Sequence, residues 1–343
     1  MNPFELTCSE VAAEMARRYG KGAFHAAALY REVFQHGNTS PAGMRGFAQS
    51  PALAAKLAKD LRLPSCRIER QVGEETLKFA SRLHDGGVIE SVVIPSGGRT
   101  TLCVSSQVGC RMGCRFCTTG GMGFVRSLST AEIVWQAYAA RFLLGRRVDN
   151  VVFMGMGEPF DNLDAVIQAV RVLNDQRGLD IPLGRITLST AGHVDGIERL
   201  AALDLPKLRL AVSLNAADNS LRDTLMPINR RYPLERLKEA LLRFPLARDG
   251  VVFVEYVLLA GVNDSRDDAG RLVRFLEGLR ARVNVLAYNS GSAQRYAAPS
   301  AEQVRRFCGW LAEEKVFVRA RQSKGREIAA ACGQLGAALS QPK

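Results

Sequence analysis

The sequence contains no long apolar run and no recognisable leader. Its most apolar segment, residues 251–262, is interrupted by Glu255, whereas a membrane-spanning helix needs about 18 or more apolar residues in succession. The first 17 residues lack a basic stretch followed by an apolar one, so the sequence predicts no secretory signal. These absences predict a cytoplasmic protein that does not associate with membranes.

Cysteine is used sparingly, and its distribution excludes a disulfide scaffold. The chain of 343 residues has eight cysteines, and three of them are grouped within residues 110–117. Small disulfide-stabilised domains spread many cysteines over a short chain, which is not the pattern here. This use of cysteine predicts a protein of a reducing compartment.

The sequence also contains no internal repeat beyond an alternation of strands and helices, and no low-complexity segment.

The charge is strongly unbalanced toward the basic side. Lys and Arg exceed Asp and Glu by 12, and the isoelectric point is near 9.6. An excess of this size favours a polyanionic partner, above all nucleic acid. The alternative is a basic surface that serves only solubility.

With 47% hydrophobic residues the chain can bury a full core, so global disorder is excluded.

The first third of the chain changes from a helical to a strand pattern. Residues 1–66 are predicted to be helical, with Ser9 as a candidate N-cap and a further helix over residues 51–61. Two strand-like runs, 76–83 and 88–94, flank His84-Asp85-Gly86-Gly87, which predicts a β-hairpin.

Strands and helices alternate after residue 98. The apolar, strand-like runs are 101–105, 150–155, 185–190, 208–214, 251–258 and 283–288. The helical stretches are 129–144, 163–174, 195–203, 218–225 with 234–244, and 266–281. Such alternation indicates parallel βα units, so we predict an α/β fold, a partial TIM-like (βα)6 barrel. The expected division is 1–66 helical domain, 67–98 linker and β-hairpin extension, 99–300 barrel, and 301–343 C-terminal helix, strand and tail.

A loop with three cysteines follows the first barrel strand. Cys110, Cys114 and Cys117 have the spacing C-x3-C-x2-C, with Phe116 before the last cysteine. Three thiolates can bind three corners of an iron–sulfur cluster, whereas a structural zinc site needs a fourth ligand. No His or Cys within a few residues of Cys117 supplies one, although Cys103 lies just upstream. Both a cluster and a zinc site remain open on spacing alone.

Small polar residues stand where the predicted strands end. In a barrel of parallel strands these ends form one edge, where catalytic groups gather, although ordinary capping of strand ends explains any single residue as well. The candidates are Gly157 and Glu158 after the second strand, Ser189 at the third, Ser213, Leu214 and Asn215 at the fourth, and Asn289 at the sixth.

Cys103 and Cys332 have two possible roles. Most free cysteines are buried and behave as small hydrophobic residues. Against that, Lys324 and Arg326 precede Cys332 and could favour its thiolate.

Several motifs in order resemble the RlmN/Cfr family of radical S-adenosylmethionine (SAM) RNA methyltransferases. They cover residues 76–335 and comprise Cys103-Val-Ser-Ser-Gln-Val-Gly-Cys110, the three-cysteine loop, Gly155-Met-Gly-Glu-Pro159, Met226-Pro-Ile-Asn-Arg230, Glu255-Tyr256, Gly261-Val-Asn-Asp264 and Ala330-Ala-Cys-Gly-Gln-Leu335. Asn215 departs from the family pattern, since many members carry histidine there.

The resemblance implies a [4Fe-4S] cluster and two molecules of SAM per turnover. Cys110, Cys114 and Cys117 would hold the cluster, and the strand-end residues would bind SAM. Cys332 would be methylated by one SAM, and a radical made from the second would activate this methyl group for addition to adenine. Cys103 would then form a disulfide with Cys332 and release the methylated base. Glu90 matches the position of the proton acceptor.

The resemblance also bears on substrate and partners. Pro159 favours methylation of carbon 2 of adenosine, as in RlmN, over carbon 8, as in Cfr. RlmN members act on 23S rRNA at the peptidyl-transferase centre and, in many bacteria, on tRNA next to the anticodon. Arg319, Arg321, Lys324 and Arg326 are candidates for phosphate contacts. The expected partners are RNA and an electron-donor protein such as flavodoxin, with the enzyme a monomer. The alternative outside this class is a non-catalytic, zinc-stabilised RNA-binding protein.

Overall fold

The computed structural model describes residues 1–289 and 295–336. Parts of two predicted segments, 290–294 of the barrel and 337–343 of the tail, lie outside the described residues. The helices are α1 Cys8–Tyr19, α2 Ala23–His36, α3 Pro51–Asp60, α4 Thr118–Gly121, α5 Thr130–Tyr138, α6 Leu163–Asn174, α7 Val194–Ala201, α8 Asn219–Leu225, α9 Leu234–Arg243, α10 Arg266–Leu276 and α11 Ala301–Glu313. The strands are β1 Arg67–Val72, β2 Leu77–Arg82, β3 Val88–Ser96, β4 Arg99–Cys103, β5 Gln107–Gly109, β6 Phe124–Ser127, β7 Asn150–Phe153, β8 Ile186–Thr190, β9 Arg209–Ser213, β10 Val252–Leu258, β11 Ala281–Ala287 and β12 Val318–Arg321.

Ten strands form one mixed sheet, in the order β1-β2-β3-β4-β7-β8-β9-β10-β11-β12. The strands from β4 to β12 in this order are parallel to their neighbours, and β1 to β4 pair antiparallel. The six predicted barrel strands are confirmed, and the tail strand β12 extends the parallel run beside β11. One cavity is lined from both ends of this run, by Thr101 of β4 and by Arg319 of β12. The sheet is therefore curved into a partial barrel with a seam between its first and last parallel strands.

The predicted hairpin is confirmed as β2 and β3, but it is continuous with the barrel. Strand β3 continues across the sheet by pairing with β4, with Val92 opposite Cys103. The structure also contains strand β1, which pairs with β2 and was not predicted from the sequence. Its sequence, RIERQV, offers little alternation and is mostly exposed because the strand lies at the sheet edge.

The N-terminal helices pack directly on the barrel. The ring of Phe4 lies 5.1 Å from the rings of both Phe34 in α2 and Tyr138 in α5, and the Tyr138 hydroxyl donates to the carbonyl of Gly37 at 2.8 Å. These residues belong to the same buried apolar cluster as the barrel core. The helical segment is thereby held in a defined position relative to the barrel.

Two predicted helix ends were wrong, for local reasons. The N-cap of α1 is Thr7 and not Ser9, because Thr7 and Glu10 form a reciprocal capping box. Helix α10 stops at Leu276 instead of residue 281, shortly before Gly278 adopts a positive φ of 80°. Helix α6 spans the predicted range, residues 163–174.

Among residues 1–289 and 295–336, no helix is both long and apolar enough to cross a membrane.

Candidate active site

The three-cysteine loop lies between strands β5 and β6, which pair with each other. Gly109 closes the base of the loop with a φ of 75°, and a Cβ there would lie 1.9 Å from the carbonyl oxygen of Gly123. The amide of Cys110 donates to that same carbonyl at 2.8 Å. Only glycine fits this left-handed position so close to another backbone. The tight crossing brings the loop back over the strand ends.

The loop is also tied to two distant segments by backbone hydrogen bonds. The amide of Arg115 donates to the carbonyl of Leu225 at the end of α8, at 3.0 Å. The amide of Thr118 donates to the carbonyl of Gly333 at 2.8 Å. The cysteine loop and the segment that carries Cys332 are therefore fastened to each other.

One cavity, which we call the strand-end cavity, contains all three loop cysteines. Cys110, Cys114 and Cys117 line one side, and residues at the carboxyl ends of β7 to β11 line the other. Burial raises the pKa of Cys110 to about 12 and raises the pKa of Cys114 and Cys117 as well. At neutral pH the free thiols are protonated, so metal binding must displace their protons.

The three thiols do not meet at a single point. Within the described part of the chain, no three His, Cys, Asp or Glu side chains are grouped so as to hold one metal ion. A four-iron cluster requires thiols that are separated from one another, because each cysteine binds a separate iron at a separate corner. Three soft sulfur donors spread around one cavity suit such a cluster.

Five of the seven predicted SAM-binding residues line the strand-end cavity: Gly157, Glu158, Ser189, Ser213 and Asn215. Gly157 has a φ of 101°, and a Cβ there would approach Gln107 to 2.6 Å, so this position too requires glycine. The structure thus brings together strand-end residues from three neighbouring strands, β7, β8 and β9.

Glu158 is held at the end of β7 by backbone donors. Its carboxylate accepts hydrogen bonds from the amides of Ala191 at 2.8 Å and Phe160 at 3.1 Å, and its side chain is buried. Burial raises the pKa of Glu158 to about 7, against the opposing effect of these hydrogen bonds. A buried carboxyl poised between its two protonation states suits a cationic ligand group, which would favour the charged form.

Asn215 is fixed by the protein itself. It is fully buried and has a φ of 60°, a left-handed conformation that asparagine tolerates better than most residues. Its side-chain oxygen accepts from the amide of Val257 at 2.8 Å, and its side-chain nitrogen donates to the sulfur of Met226 at 3.2 Å. Asn215 therefore organises the ends of β9 and β10 as well as lining the cavity.

Leu214 and Asn289 do not line the strand-end cavity. Leu214 is buried in the apolar core. Asn289 donates from its side chain to the hydroxyl of Ser323 at 3.1 Å and to the carbonyl of Cys332 at 3.4 Å. Its side-chain oxygen is buried and has no hydrogen-bond partner among the described residues. An unsatisfied buried acceptor is costly, and a ligand hydroxyl or amino group would satisfy it.

Arg222 was not predicted from the sequence, yet it is the largest fully buried side chain in the described structure. Its guanidinium donates to the carbonyl of Ala191 at 2.7 Å, the carbonyl of Leu214 at 3.0 Å and the side-chain oxygen of Asn229 at 2.9 Å. Burial lowers the pKa of Arg222 to about 10, and the negative charge of Cys114 acts in the opposite direction. Arg222 joins the ends of β8 and β9 from behind the cavity. No local pattern in α8 marks this residue as buried.

Replacing Arg222 with methionine is expected to destabilise the fold by about 3 kcal/mol, because several buried acceptors lose their donor together. The measurement is the free energy of unfolding in urea. Arg243→Met is the control, since Arg243 makes only an exposed ion pair with Glu198 at 3.5 Å and should change stability by about 0.5 kcal/mol or less. Equal stabilities of the two variants would contradict the role assigned to Arg222.

Cys332 lies where two cavities meet. It lines the strand-end cavity together with the loop cysteines. It also lines a second cavity, the seam cavity, between β4 and β7 on one side and β11 and β12 on the other. The residue is exposed to these cavities although protein atoms surround its thiol on most sides. Its thiol can therefore be reached from both cavities.

Cys103 lies at the end of β4 and lines the seam cavity with Cys332. Burial raises the pKa of Cys103, and the negative charge of Cys332 raises it further. All eight cysteines are free thiols in the structure, Cys103 and Cys332 among them. The structure thus brings together two cysteines that are far apart in the chain.

The predicted effect of Lys324 and Arg326 on Cys332 was wrong. Burial raises the pKa of the Cys332 thiol, and the cation that opposes this effect most is Arg321. Lys324 donates instead to the carbonyl of Pro95 at 2.5 Å. Arg319, Arg321 and Lys324 line the seam cavity, whereas Arg326 does not.

Glu90 lies on β3, fully buried, and lines neither cavity. Its carboxylate accepts a hydrogen bond from the amide of Gly336 at 2.7 Å and forms an ion pair with Lys78 at 3.1 Å. Its backbone amide contacts the sulfur of Met156 at 3.3 Å. Glu90 is therefore joined to the C-terminal segment that carries Cys332.

Comparison with known proteins gives a consistent result. A family model described as the radical SAM superfamily matches residues 104–275. The chain is 43% identical over 331 residues to a dual-specificity RNA methyltransferase RlmN of Geobacter sulfurreducens, covering 94% of this chain and 89% of the relative. It is 40% identical over 343 residues to the protein of that name from Geotalea uraniireducens, covering 98% of this chain and 96% of the relative. The crystal structure of a radical SAM methyltransferase from Sphaerobacter thermophilus matches with a TM-score of 0.90 and 38% identity, covering 98% and 99% of the two chains.

Proposed function

This chain belongs to the RlmN family within the radical SAM superfamily, and we propose that it methylates carbon 2 of an adenosine in 23S rRNA and in tRNA. The observation that carries the proposal is the position of Cys332, which faces the three-cysteine loop in one cavity and Cys103 in the other. A thiol in that position can take up a group on one side and deliver it on the other.

The residues present fit a [4Fe-4S] cluster and SAM. Cys110, Cys114 and Cys117 would hold the cluster, which leaves one iron for SAM. Gly157, Glu158, Ser189, Ser213 and Asn215 would bind SAM at the strand ends, and the unsatisfied side-chain oxygen of Asn289 offers one more acceptor. When bound, these groups supply the methyl group and the radical chemistry that makes a methyl carbon reactive toward an adenine carbon.

The protein's own residues perform the remaining steps. Cys332 carries the methyl group as a thioether and presents its carbon to the adenine. Glu90 accepts the proton that leaves the adenine carbon, and the radical adduct also gives up one electron, which the bound cluster would take up. The Cys103 thiolate then attacks the Cys332 sulfur: the sulfur–sulfur bond forms, the sulfur–carbon bond breaks, and its electron pair remains on the carbon, which takes up a proton and becomes the new methyl group. A thiol reductant must reduce the disulfide before the next turnover.

RNA would approach through the seam cavity. Arg319, Arg321 and Lys324 line this cavity beside Cys332, and such cations suit the phosphates that flank an adenosine displaced from its stack.

We further propose that the enzyme is a monomer and that an acidic electron-transfer protein such as flavodoxin reduces the cluster. Family membership favours catalysis over a zinc-stabilised protein that only binds RNA.

The test is nucleoside mass spectrometry of 23S rRNA and tRNA from a strain that lacks the gene and from the same strain expressing it. We expect 2-methyladenosine to be lost from both RNA classes in the deletion strain and restored on expression. Appearance of 8-methyladenosine would instead assign carbon 8, and no change in either nucleoside would contradict the proposal.

Iron analysis of anaerobically purified protein should give about four irons per chain. Stoichiometric zinc without sulfide would instead support a zinc-stabilised protein that only binds RNA.

A further inference from the structure

A buried ion pair joins the two strands of the hairpin. The side-chain nitrogen of Lys78 on β2 lies 3.1 Å from the carboxylate of Glu90 on β3, and the two side chains are only 6% and 1% exposed. In the strand register Glu90 is opposite Ala80, so Lys78 is its diagonal neighbour on the same face of the sheet. The contact is therefore set by the geometry of the hairpin.

The same pair holds the segment that carries Cys332. Lys78 donates to the carbonyl of Ala329 at 3.2 Å, three residues before the cysteine. Glu90 accepts from the amide of Gly336 at 2.7 Å, four residues after it. Residues 329–336 are thus attached at both ends to one buried ion pair.

The burial of Glu90 requires partners for its carboxylate. Removing a carboxylate from water is costly unless a counter-charge and hydrogen-bond donors surround it. Lys78 is the cation in contact with Glu90, and it compensates the negative charge in the buried site.

We propose that Lys78 is a positioning residue that holds the Glu90 carboxylate in place by their ion pair and aligns it with the segment that carries Cys332. The inference rests on the proposed function, because Glu90 accepts a proton only in the reaction with RNA. Methylation of Cys332 itself precedes that step and does not involve Glu90. Loss of Lys78 therefore impairs one stage of the reaction and leaves the earlier one intact.

The experiment compares Lys78→Met, Lys78→Arg and Glu90→Gln in the full-length protein with its cluster. Lys78→Met should reduce the yield of methylated RNA by about 100-fold, which is within the usual contribution of a general base. Peptide mass spectrometry should still find methylated Cys332, and protein covalently joined to RNA should accumulate because release is blocked. Lys78→Arg retains the charge and should recover much of the loss.

The double variant separates the positioning of the Glu90 carboxylate from general damage. In Glu90→Gln the carboxylate that Lys78 positions is absent, so adding Lys78→Met should reduce the yield little further. Lys324→Met is a second comparison, because Lys324 attaches the chain just before residues 329–336 to β3 by its bond to the carbonyl of Pro95, and its ion pair is with the exposed Glu75 at 3.8 Å. It should raise the KM for RNA without accumulation of the covalent species.

The possible outcomes are distinguishable. An unimpaired Glu90→Gln variant would overturn the role of Glu90 in the proposed function. Impaired Glu90→Gln with unimpaired Lys78→Met would overturn only the role of Lys78. Loss of Cys332 methylation or of iron in Lys78→Met, with the double variant more stable than the single one, would show a purely structural role and overturn the inference.

Discussion

Cys332→Ala is expected to abolish RNA methylation while the iron content stays at that of the unchanged protein. The thiol of Cys332 is the group that faces both cavities, and alanine offers no nucleophile to carry a methyl group. Loss of a covalent nucleophile reduces turnover by about 1,000-fold or more. The measurement is methylated nucleoside per enzyme, together with iron per chain.

The iron content should persist because the proposed cluster ligands, Cys110, Cys114 and Cys117, do not depend on the Cys332 side chain. The bond between the cysteine loop and the tail runs from the Thr118 amide to the Gly333 carbonyl, and both are backbone groups. Cys308→Ala is the matched control: Cys308 is a half-buried cysteine on α11 that lines neither cavity, and its loss should leave turnover unchanged. Methylation by the Cys332→Ala variant at a substantial rate would exclude a methylated-cysteine intermediate.

Cys103→Ala should trap the protein on its RNA. In the proposed mechanism the adduct between Cys332 and adenine is released when a second thiol attacks the Cys332 sulfur, and Cys103 shares the seam cavity with Cys332. Without that attack we expect a covalent complex that survives denaturing electrophoresis and disappears on ribonuclease treatment. Nearly every active enzyme molecule should stop after forming one covalent adduct with RNA, so free methylated RNA should be almost absent.

The control for this trap is the double variant Cys103→Ala with Cys332→Ala. It has no thiol to carry the methyl group and should form no covalent complex. The single variant should fold normally, because alanine in place of a buried cysteine removes one sulfur atom from the core and costs about 1–2 kcal/mol. Release of free methylated RNA at the rate of the unchanged enzyme would refute the role of Cys103.

The chemistry and the order of the barrel elements were accessible from the sequence. The spacing of Cys110, Cys114 and Cys117 is a local property of eight residues, and the alternation of strand-like and helical runs placed the six barrel strands and helix α6. Local errors had local causes: a capping box moved the start of α1 to Thr7, and edge strand β1 has too few apolar residues to show its period.

The environment of each polar side chain was decided only by the tertiary structure. Residues on both faces of β2 are buried, so the alternation of polar and apolar residues there does not reveal that Lys78 points inward to Glu90. Arg222 lies on a short helix next to the charged residue Asp223, and only the packing of α8 behind the strand ends buries Arg222.

The sequence by itself determined which chemical groups the protein has and which strands carry them. The tertiary structure decided which of these groups come together: Cys103 and Cys332 line one cavity, and Lys78 forms an ion pair with Glu90. The physical reason is the distance along the chain between the residues that interact. Periodicity and spacing act over a few residues. The contacts that make the site join β2, β3, β4 and the C-terminal segment, and they form only when the sheet curves.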